Sequence, residues 1–158
     1  MSELMEYLKK KGTVVVFDID GVLAAYEFGY HCHAAVPGGD WRSYVEIYHP
    51  YLSAKPLPAL EDFVVQKDPD ELYICSVAAD FEQQDKRVFC ERCYGINPGH
   101  IHFVASKAEK LQYVTDLAEQ LKIPQERVAL VEDSVKTLDQ LAAFSHCTTV
   151  HITSFFYG

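Results

Sequence analysis

Short apolar runs alternate with helical patterns along most of the chain. The apolar runs cover 13–17, 72–76, 101–104, 128–131 and 148–152. Patterns with helical spacing cover 82–94, 107–121 and 135–144, and a weaker one covers 59–66. Strands that alternate with helices in this way are typical of βαβ units. We therefore predict an α/β fold in which a doubly wound, Rossmann-like parallel sheet is flanked by helices.

The segment 21–58 interrupts this alternation. Its aromatic residues are Tyr26, Phe28, Tyr30, Trp41, Tyr44, Tyr48 and Tyr51. It also carries Pro-Gly-Gly at 37–39 and shows no clear periodicity, so we predict loops, with room for a hairpin. Loops of this length inside a compact domain usually serve function. For His31 and His33 in this segment, a metal site, a substrate contact and an ordinary loop all stay open.

Length and charge restrict the class of protein. The chain has 158 residues, so we predict a single domain over 1–158. Its formal net charge of −9 disfavours long nucleic acid as a partner, although a bound cation can still attract a small phosphorylated substrate. No apolar run approaches the roughly 18 residues that span a bilayer, so we expect no membrane partner. The segment 1–11 lacks a signal-peptide core, which favours a cytoplasmic protein.

The five cysteines are expected to be free thiols, because an odd number in a cytoplasmic chain argues against a disulfide framework. Cys90 and Cys93 have the C-x-x-C spacing of zinc and redox sites, and His100 and His102 are the residues that would complete a zinc site. The sequence has no second C-x-x-C. Packing of small apolar thiols is therefore the default interpretation of this pair.

Charged or hydroxyl-bearing side chains follow four of the predicted strands. They are Asp18, Asp20, Ser76, Lys107, Glu132 and Asp133. Ligands of open parallel sheets bind at the carboxyl ends of the strands, where these side chains converge. Carboxylates brought together repel one another, and Mg²⁺, which prefers oxygen ligands, relieves that repulsion. A hydroxyl and a lysine can hold phosphoryl oxygens, and an aspartate can act as a nucleophile through an acyl-phosphate.

Four motifs carry a resemblance to a known family. The stretch 14–23, V-V-V-F-D-I-D-G-V-L, resembles the first motif of the haloacid dehalogenase-like (HAD) superfamily, a strand followed by D-x-D-G-x-L. The stretch 74–76 (I-C-S) resembles its second motif, Lys107 its third, and 130–133 (L-V-E-D) its fourth. The resemblance spans 13 to about 152. It implies a HAD-like fold whose first strand lies centrally, beside the second and the fourth.

The resemblance also implies a role for each site residue. Asp18 is the expected nucleophile, and Asp20 the general acid and base. Ser76 and Lys107 are expected to bind the phosphoryl group, although Lys110 lies one helical turn later and could take the place of Lys107. An Asp at position 20 favours phosphoryl chemistry over dehalogenation, since a halide leaving group needs no proton. We therefore expect a hydrolase of phosphate monoesters.

A magnesium cofactor follows from the same resemblance. Asp18, the backbone carbonyl of Asp20, and Asp133 are the expected ligands, with Glu132 as a supporting carboxylate nearby. Many family members carry a further Asp three or four residues after the fourth motif, but the next Asp here is Asp139. The spacing between the first two motifs is short for a full cap domain, so we predict a capless or flap-only phosphatase, with a flap over about 22–57.

Two other functions stay open at this point. A phosphotransferase or phosphomutase of the same family would keep Asp20, and a non-catalytic binding or scaffold protein could keep the shape of the site. Aromatic side chains of the flap, Trp41 above all, could stack on a flat group, and Arg42 could meet a second anionic group. This favours a small, nucleotide-like substrate over a sugar phosphate, and a phosphoprotein substrate stays open because an open site admits large partners. The sequence does not specify the physiological substrate, the pathway or the oligomeric state.

Overall fold

The computed structural model describes residues 2–25 and 39–157. The strands are β1 Val14–Phe17, β2 Leu72–Val77, β3 Ile101–Val104, β4 Val128–Glu132 and β5 Thr148–His151. The helices are α1 Glu3–Lys9, α2 Trp41–Tyr48, α3 Pro50–Ser53, α4 Pro58–Gln66, α5 Asp80–Tyr94, α6 Lys107–Leu121 and α7 Val135–Phe144. The strands form one parallel sheet in the order β3-β2-β1-β4-β5. The predicted α/β fold is confirmed, and β1 lies between β2 and β4 as expected.

Helices cover both faces of the sheet, as a doubly wound fold requires. Val14 and Val16 of β1 pack in the apolar cluster that contains α6 and α7. Val15 and Phe17 pack on the opposite face, in the cluster that contains α4 and α5. Side chains along a strand point alternately to its two faces, so a strand buried on both faces reads as one continuous apolar run. This explains why β1 can be recognised in the sequence as a continuous apolar run.

The predicted elements outside 21–58 differ from the observed ones only at their ends. The short helix α1 was not predicted, and the prediction of loops or a hairpin over 21–58 is wrong for α2 and α3. Aromatic and β-branched residues, which are frequent in α2, have modest helix propensity. The helix forms because Asp40 caps it, accepting a 2.7 Å hydrogen bond from the Ser43 amide, and because Tyr44 and Val45 are buried.

The cysteines in the described residues are all free thiols, as expected. Burial raises the pKa of the Cys75 thiol to about 12. The histidines proposed to complete a zinc site with Cys90 and Cys93 are engaged elsewhere, since His100 stacks on Tyr73 and His102 stacks on Tyr113, with ring centroids 4.0 and 4.3 Å apart. Within 2–25 and 39–157, these cysteines and histidines form no metal-binding group. No helix in the same ranges is long and apolar enough to cross a membrane.

Candidate active site

A tight turn at the carboxyl end of β1 presents the two aspartates of the first motif. The carbonyl of Ile19 accepts hydrogen bonds from the amides of Val22, Leu23 and Ala24, at 3.1, 3.0 and 2.9 Å. Gly21 has a φ of 74°, a left-handed conformation that glycine adopts without steric cost. The amide of Asp18 donates to the Val131 carbonyl at 3.1 Å, which continues the pairing of β1 with β4. The turn therefore fixes Asp18 beside the fourth motif.

Asp18 faces a buried lysine. Lys110 Nζ lies 3.1 Å from Asp18 Oδ1 and donates to Glu132 Oε2 at 2.6 Å. Burial raises the pKa of Asp18 above its usual range, against the opposing effect of Lys110, and Glu132 raises it further. Burial alone would lower the pKa of Lys110, but the two carboxylates beside it raise that pKa overall, which keeps the ammonium charged. One buried ammonium thus holds two buried carboxylates together.

The lysine against the predicted nucleophile is Lys110, and Lys107 lies farther out. The Lys107 side chain is 46% exposed, with Nζ 3.5 Å from Glu132 Oε2. The buried face of α6 contains Lys110, Leu111, Val114, Leu117 and Ala118. Lys107, at the first position of the helix, is exposed, whereas Lys110, almost one turn further in, is fully buried. Spacing alone does not distinguish the two lysines, because Lys107 precedes Leu111 by four residues and Val114 by seven and so falls on the same helical face.

An acidic cluster suited to a hard cation lies at the same edge of the sheet. Carboxylate oxygens of Asp18, Glu132 and Asp133 lie within 4.8 Å of one another. Both oxygens of Glu132 already have donors: Lys110 bonds Oε2, and the amides of Asp133 and Ser134 bond Oε1 at 3.1 and 3.4 Å. Asp133 is exposed. The donor set fits Mg²⁺ through Asp18 and Asp133, with Glu132 acting through Lys110.

A second buried lysine holds Asp20. Lys86 Nζ donates to Asp20 Oδ2 at 2.8 Å, to Ser76 Oγ at 3.2 Å and to the Val77 carbonyl at 3.2 Å. The Tyr51 hydroxyl donates to Asp20 Oδ1. The predicted acid–base residue and the predicted phosphate-binding hydroxyl therefore share one lysine. Among the residues that the structure describes, the four motifs come together at one site.

Lys86 and its neighbours are not among the site residues predicted from the sequence. In α5, Lys86 is buried together with Glu82, Phe89 and Cys90, at the i, i+3 and i+4 spacing of one helical face. A lysine and a glutamate on the apolar side of a helix are the signal that was available, because charged residues are seldom fully buried unless they are paired. Tyr51 gave no comparable signal, since its contact with Asp20 depends on how α3 packs.

The aromatic residues described in the predicted flap pack against one another and against α5. Trp41 stacks on Tyr44, with ring centroids 5.7 Å apart, and its indole N–H donates to Glu82 Oε2 at 2.8 Å. Arg42 pairs with Glu46 at 2.9 Å. Predictions that concern Tyr26, Phe28, Tyr30, His31 and His33 lie outside the described residues.

Together these features define a Rossmann-like α/β domain with a lysine-lined acidic site at the carboxyl edge of its sheet. Solved structures of HAD-superfamily proteins have the same architecture. A HAD family hydrolase from Deinococcus radiodurans R1, with bound phosphate and sodium, is 15% identical, with a TM-score of 0.55 over 88% of this chain and 80% of that chain. A HAD family enzyme from Bacteroides thetaiotaomicron, in a magnesium complex, is 11% identical, with a TM-score of 0.54 over 88% and 92%.

A third similar structure is the cobalt-bound deoxy-D-mannose-octulosonate 8-phosphate phosphatase of Haemophilus influenzae. It is 19% identical, with a TM-score of 0.50 over 92% of this chain and 70% of that chain. No protein-family model and no curated protein sequence matches the chain. At these identities the likeness concerns the fold, and the fold of this chain is that of the HAD-like hydrolases.

Proposed function

We propose that this protein is a magnesium-dependent phosphatase that hydrolyses a small phosphate monoester through an aspartyl-phosphate at Asp18. The separate pairing of the two aspartates of the first motif carries the proposal. Asp18 is buried against Lys110, whereas Asp20 is 24% exposed and is held by Lys86 beside Ser76. Two carboxylates with different environments at one site can take different roles, one as nucleophile and one as proton carrier.

The chemistry divides into two displacements at phosphorus. In the first, a carboxylate oxygen of Asp18 attacks, the bond to the leaving oxygen breaks, and Asp20 gives that oxygen its proton. In the second, Asp20 takes a proton from water, the water oxygen attacks the aspartyl-phosphate, and the bond to Asp18 breaks. Inorganic phosphate leaves, and both carboxyl groups return to their starting state.

Positive charge and hydrogen-bond donors support both steps. We assign to Lys110 the phosphoryl-binding role that the motif order gave to Lys107, because an ammonium has three N–H donors and only Lys110 contacts Asp18. Ser76 offers its hydroxyl as a donor to a phosphoryl oxygen. Asp18, Asp133 and the Asp20 carbonyl would hold Mg²⁺, which supplies positive charge for the phosphoryl oxygens.

The substrate we propose is a nucleoside monophosphate or a similarly flat phosphate monoester. The support is the position of Trp41, which is half-buried and reaches Glu82 on the helix that carries Lys86. Its ring packs with those of Tyr44 and Tyr51, and a flat base could extend this group of aromatic rings. Arg42 should attract a second anionic group of the substrate only weakly, because Glu46 already pairs with its guanidinium.

A substrate screen with an intermediate trap tests this function. Hydrolysis would be measured with Mg²⁺ for nucleoside monophosphates, hexose phosphates and phosphopeptides. Protein quenched in acid during turnover of a radiolabelled substrate should retain labelled phosphate, and Asp18→Asn should not. Absence of hydrolysis across all three classes, with no retained label, would contradict the proposal. Transfer of label to a sugar hydroxyl instead of water would identify a phosphomutase.

A further inference from the structure

The Asp20 carboxylate accepts hydrogen bonds on its buried side from two residues that belong to none of the four motifs. We infer that Lys86 and Tyr51 position the Asp20 carboxylate for proton transfer, and that Glu82 and Trp41 tie this arrangement to helix α2. The inference rests on the proposed function, because it gives Asp20 the role of acid and base. Lys86 and Tyr51 are positioning residues, since both act through Asp20.

Each oxygen of Asp20 has its own donor. Lys86 Nζ bonds Oδ2 at 2.8 Å, and the Tyr51 hydroxyl bonds Oδ1. Two donors on different elements, α5 and α3, fix the plane of the carboxylate as well as its position. Lys86 and Tyr51 are 0% exposed, whereas the Asp20 side chain is 24% exposed. The carboxylate is therefore anchored on its protein side and open on its solvent side, as a group that exchanges protons with a substrate must be.

The lysine itself has little freedom to move. Its three N–H donors match three acceptors, namely Asp20 Oδ2, Ser76 Oγ and the Val77 carbonyl. Ser76 Oγ accepts from Lys86 and donates to the Val77 carbonyl only at 3.5 Å, a weak contact that a phosphoryl oxygen could replace. A buried ammonium is costly, and an apolar side chain of similar size would serve packing equally well. The contacts with Asp20 and Ser76 give this position a function that packing alone does not.

A further set of contacts joins Lys86 to α2. Glu82 Oε1 lies 3.7 Å from Lys86 Nζ and accepts from the Ala79 amide at 3.0 Å, while Glu82 Oε2 accepts from the Trp41 indole at 2.8 Å. The Tyr51 ring lies 5.3 Å from Lys86 Nζ and 6.3 Å from the Trp41 ring. Displacement of α2 or α3 would therefore be transmitted to both donors of Asp20.

Lys86→Met and Tyr51→Phe test the inference, because each removes a donor and nearly preserves volume. Each has a matched control remote from the site. Lys67→Met removes a buried lysine that bonds the Lys10 carbonyl and Glu71, and Tyr7→Phe removes a hydroxyl that bonds the Glu126 carbonyl. The loss of kcat is then compared between alkyl and aryl phosphates. This comparison reports on proton donation, because an aryl leaving group needs less protonation.

For Lys86→Met we expect kcat for an alkyl phosphate to fall about 10- to 100-fold, part of the roughly 10²- to 10⁴-fold that a general acid–base group supplies. The loss for an aryl phosphate should be several times smaller, and the Mg²⁺ requirement should change little. Tyr51→Phe should show the same leaving-group pattern with a smaller loss. Added to Asp20→Asn, Lys86→Met should cause little further loss, because the two changes remove one function.

Equal losses for both leaving groups, or a full additional loss in the Asp20→Asn background, would overturn the inference. Crystal structures of the wild type and Lys86→Met give a readout that needs no turnover. A displaced or disordered Asp20 carboxylate in the variant supports positioning, and an unchanged one overturns it. Failure of the proposed function appears separately, as absence of hydrolysis and of an Asp18-dependent phosphoprotein in the wild type.

Discussion

Lys110 Nζ lies 3.1 Å from Asp18 Oδ1, and neither side chain has appreciable contact with solvent. The same ammonium donates to Glu132, so a single positive charge serves two buried carboxylates. This relationship sets the electrostatics of the site. It makes the site depend mainly on Lys110, because Lys107 reaches Glu132 only at 3.5 Å and from an exposed position.

Lys110→Met should remove hydrolysis and lower the free energy of unfolding by about 3–5 kcal/mol, because it leaves two carboxylates buried without their partner. The matched control is Lys107→Met, whose exposed side chain should contribute no more than about 1 kcal/mol. Urea unfolding and kcat/KM for both variants check this. If Lys107→Met loses activity and Lys110→Met keeps it, our assignment of the phosphoryl-binding lysine is wrong.

Asp18→Asn should abolish turnover without unfolding the protein, because Asn is nearly isosteric but cannot form the acyl-phosphate. In the metal-free protein its thermal stability at neutral pH should equal or exceed that of the wild type. The raised pKa of Asp18 means that ionisation is harder in the folded state, so stability falls as pH rises through that pKa. Hydrolysis of an aryl phosphate and thermal melts at several pH values check both statements.

Activity should require Mg²⁺ and fail with Ca²⁺, because Mg²⁺ keeps compact octahedral geometry near ~2.1 Å whereas Ca²⁺ takes more ligands at longer range. Mg²⁺ should also raise the melting temperature, by an amount equivalent to about 2.7 kcal/mol at 100 times its dissociation constant. Asp133→Asn should raise the Mg²⁺ concentration needed for both effects. Full activity in excess EDTA would rule out the metal site.

Asp20→Ala should still bind substrate but lose roughly 10²- to 10⁴-fold in turnover, the usual contribution of a general acid–base group. The loss should be smaller for aryl than for alkyl phosphates. Steady-state kinetics with a series of leaving groups check this, with Asp139→Ala, on α7, as a control. Identical losses across the series would give Asp20 a purely structural role.

Trp41→Ala should lower kcat/KM for a nucleoside monophosphate more than for a hexose phosphate, because loss of a stacking contact costs about 1–3 kcal/mol. Trp41→Phe keeps a ring but removes the hydrogen bond to Glu82, so it separates stacking from support of α5. The stacking hypothesis fails if the nucleotide is the poorest substrate of the wild type, or if Trp41→Ala affects both substrates equally.

The sequence predicted the sheet and the residues that follow its strands because both depend on local patterns. A buried strand such as β1 is a continuous apolar run, and the side chain after it, Asp18, lies at the carboxyl edge by geometry alone. The partners of those side chains come from packing across the sheet. Lys86 reaches Asp20 over 66 positions of the chain, and no periodicity encodes that meeting.

Helix α2 also could not be predicted from local sequence patterns. Its residues have modest helix propensity, so its formation depends on the Asp40 cap and on contacts with α5. Lys110 was only an alternative in the sequence because the motif order favours the first lysine of α6. The buried face of that helix, fixed by tertiary packing, distinguishes it from Lys107.

The position of β1 between β2 and β4 has a consequence for synthesis of the protein. Asp18 is synthesised well before the strand that supports it on one side, β4, and before the carboxylate Asp133. A chain that has been synthesised only as far as β3 therefore carries the proposed nucleophile without Asp133 and without one neighbouring strand. The proposed site is complete only after β1 pairs with β4, and long-range parallel pairing of this kind forms slowly during folding.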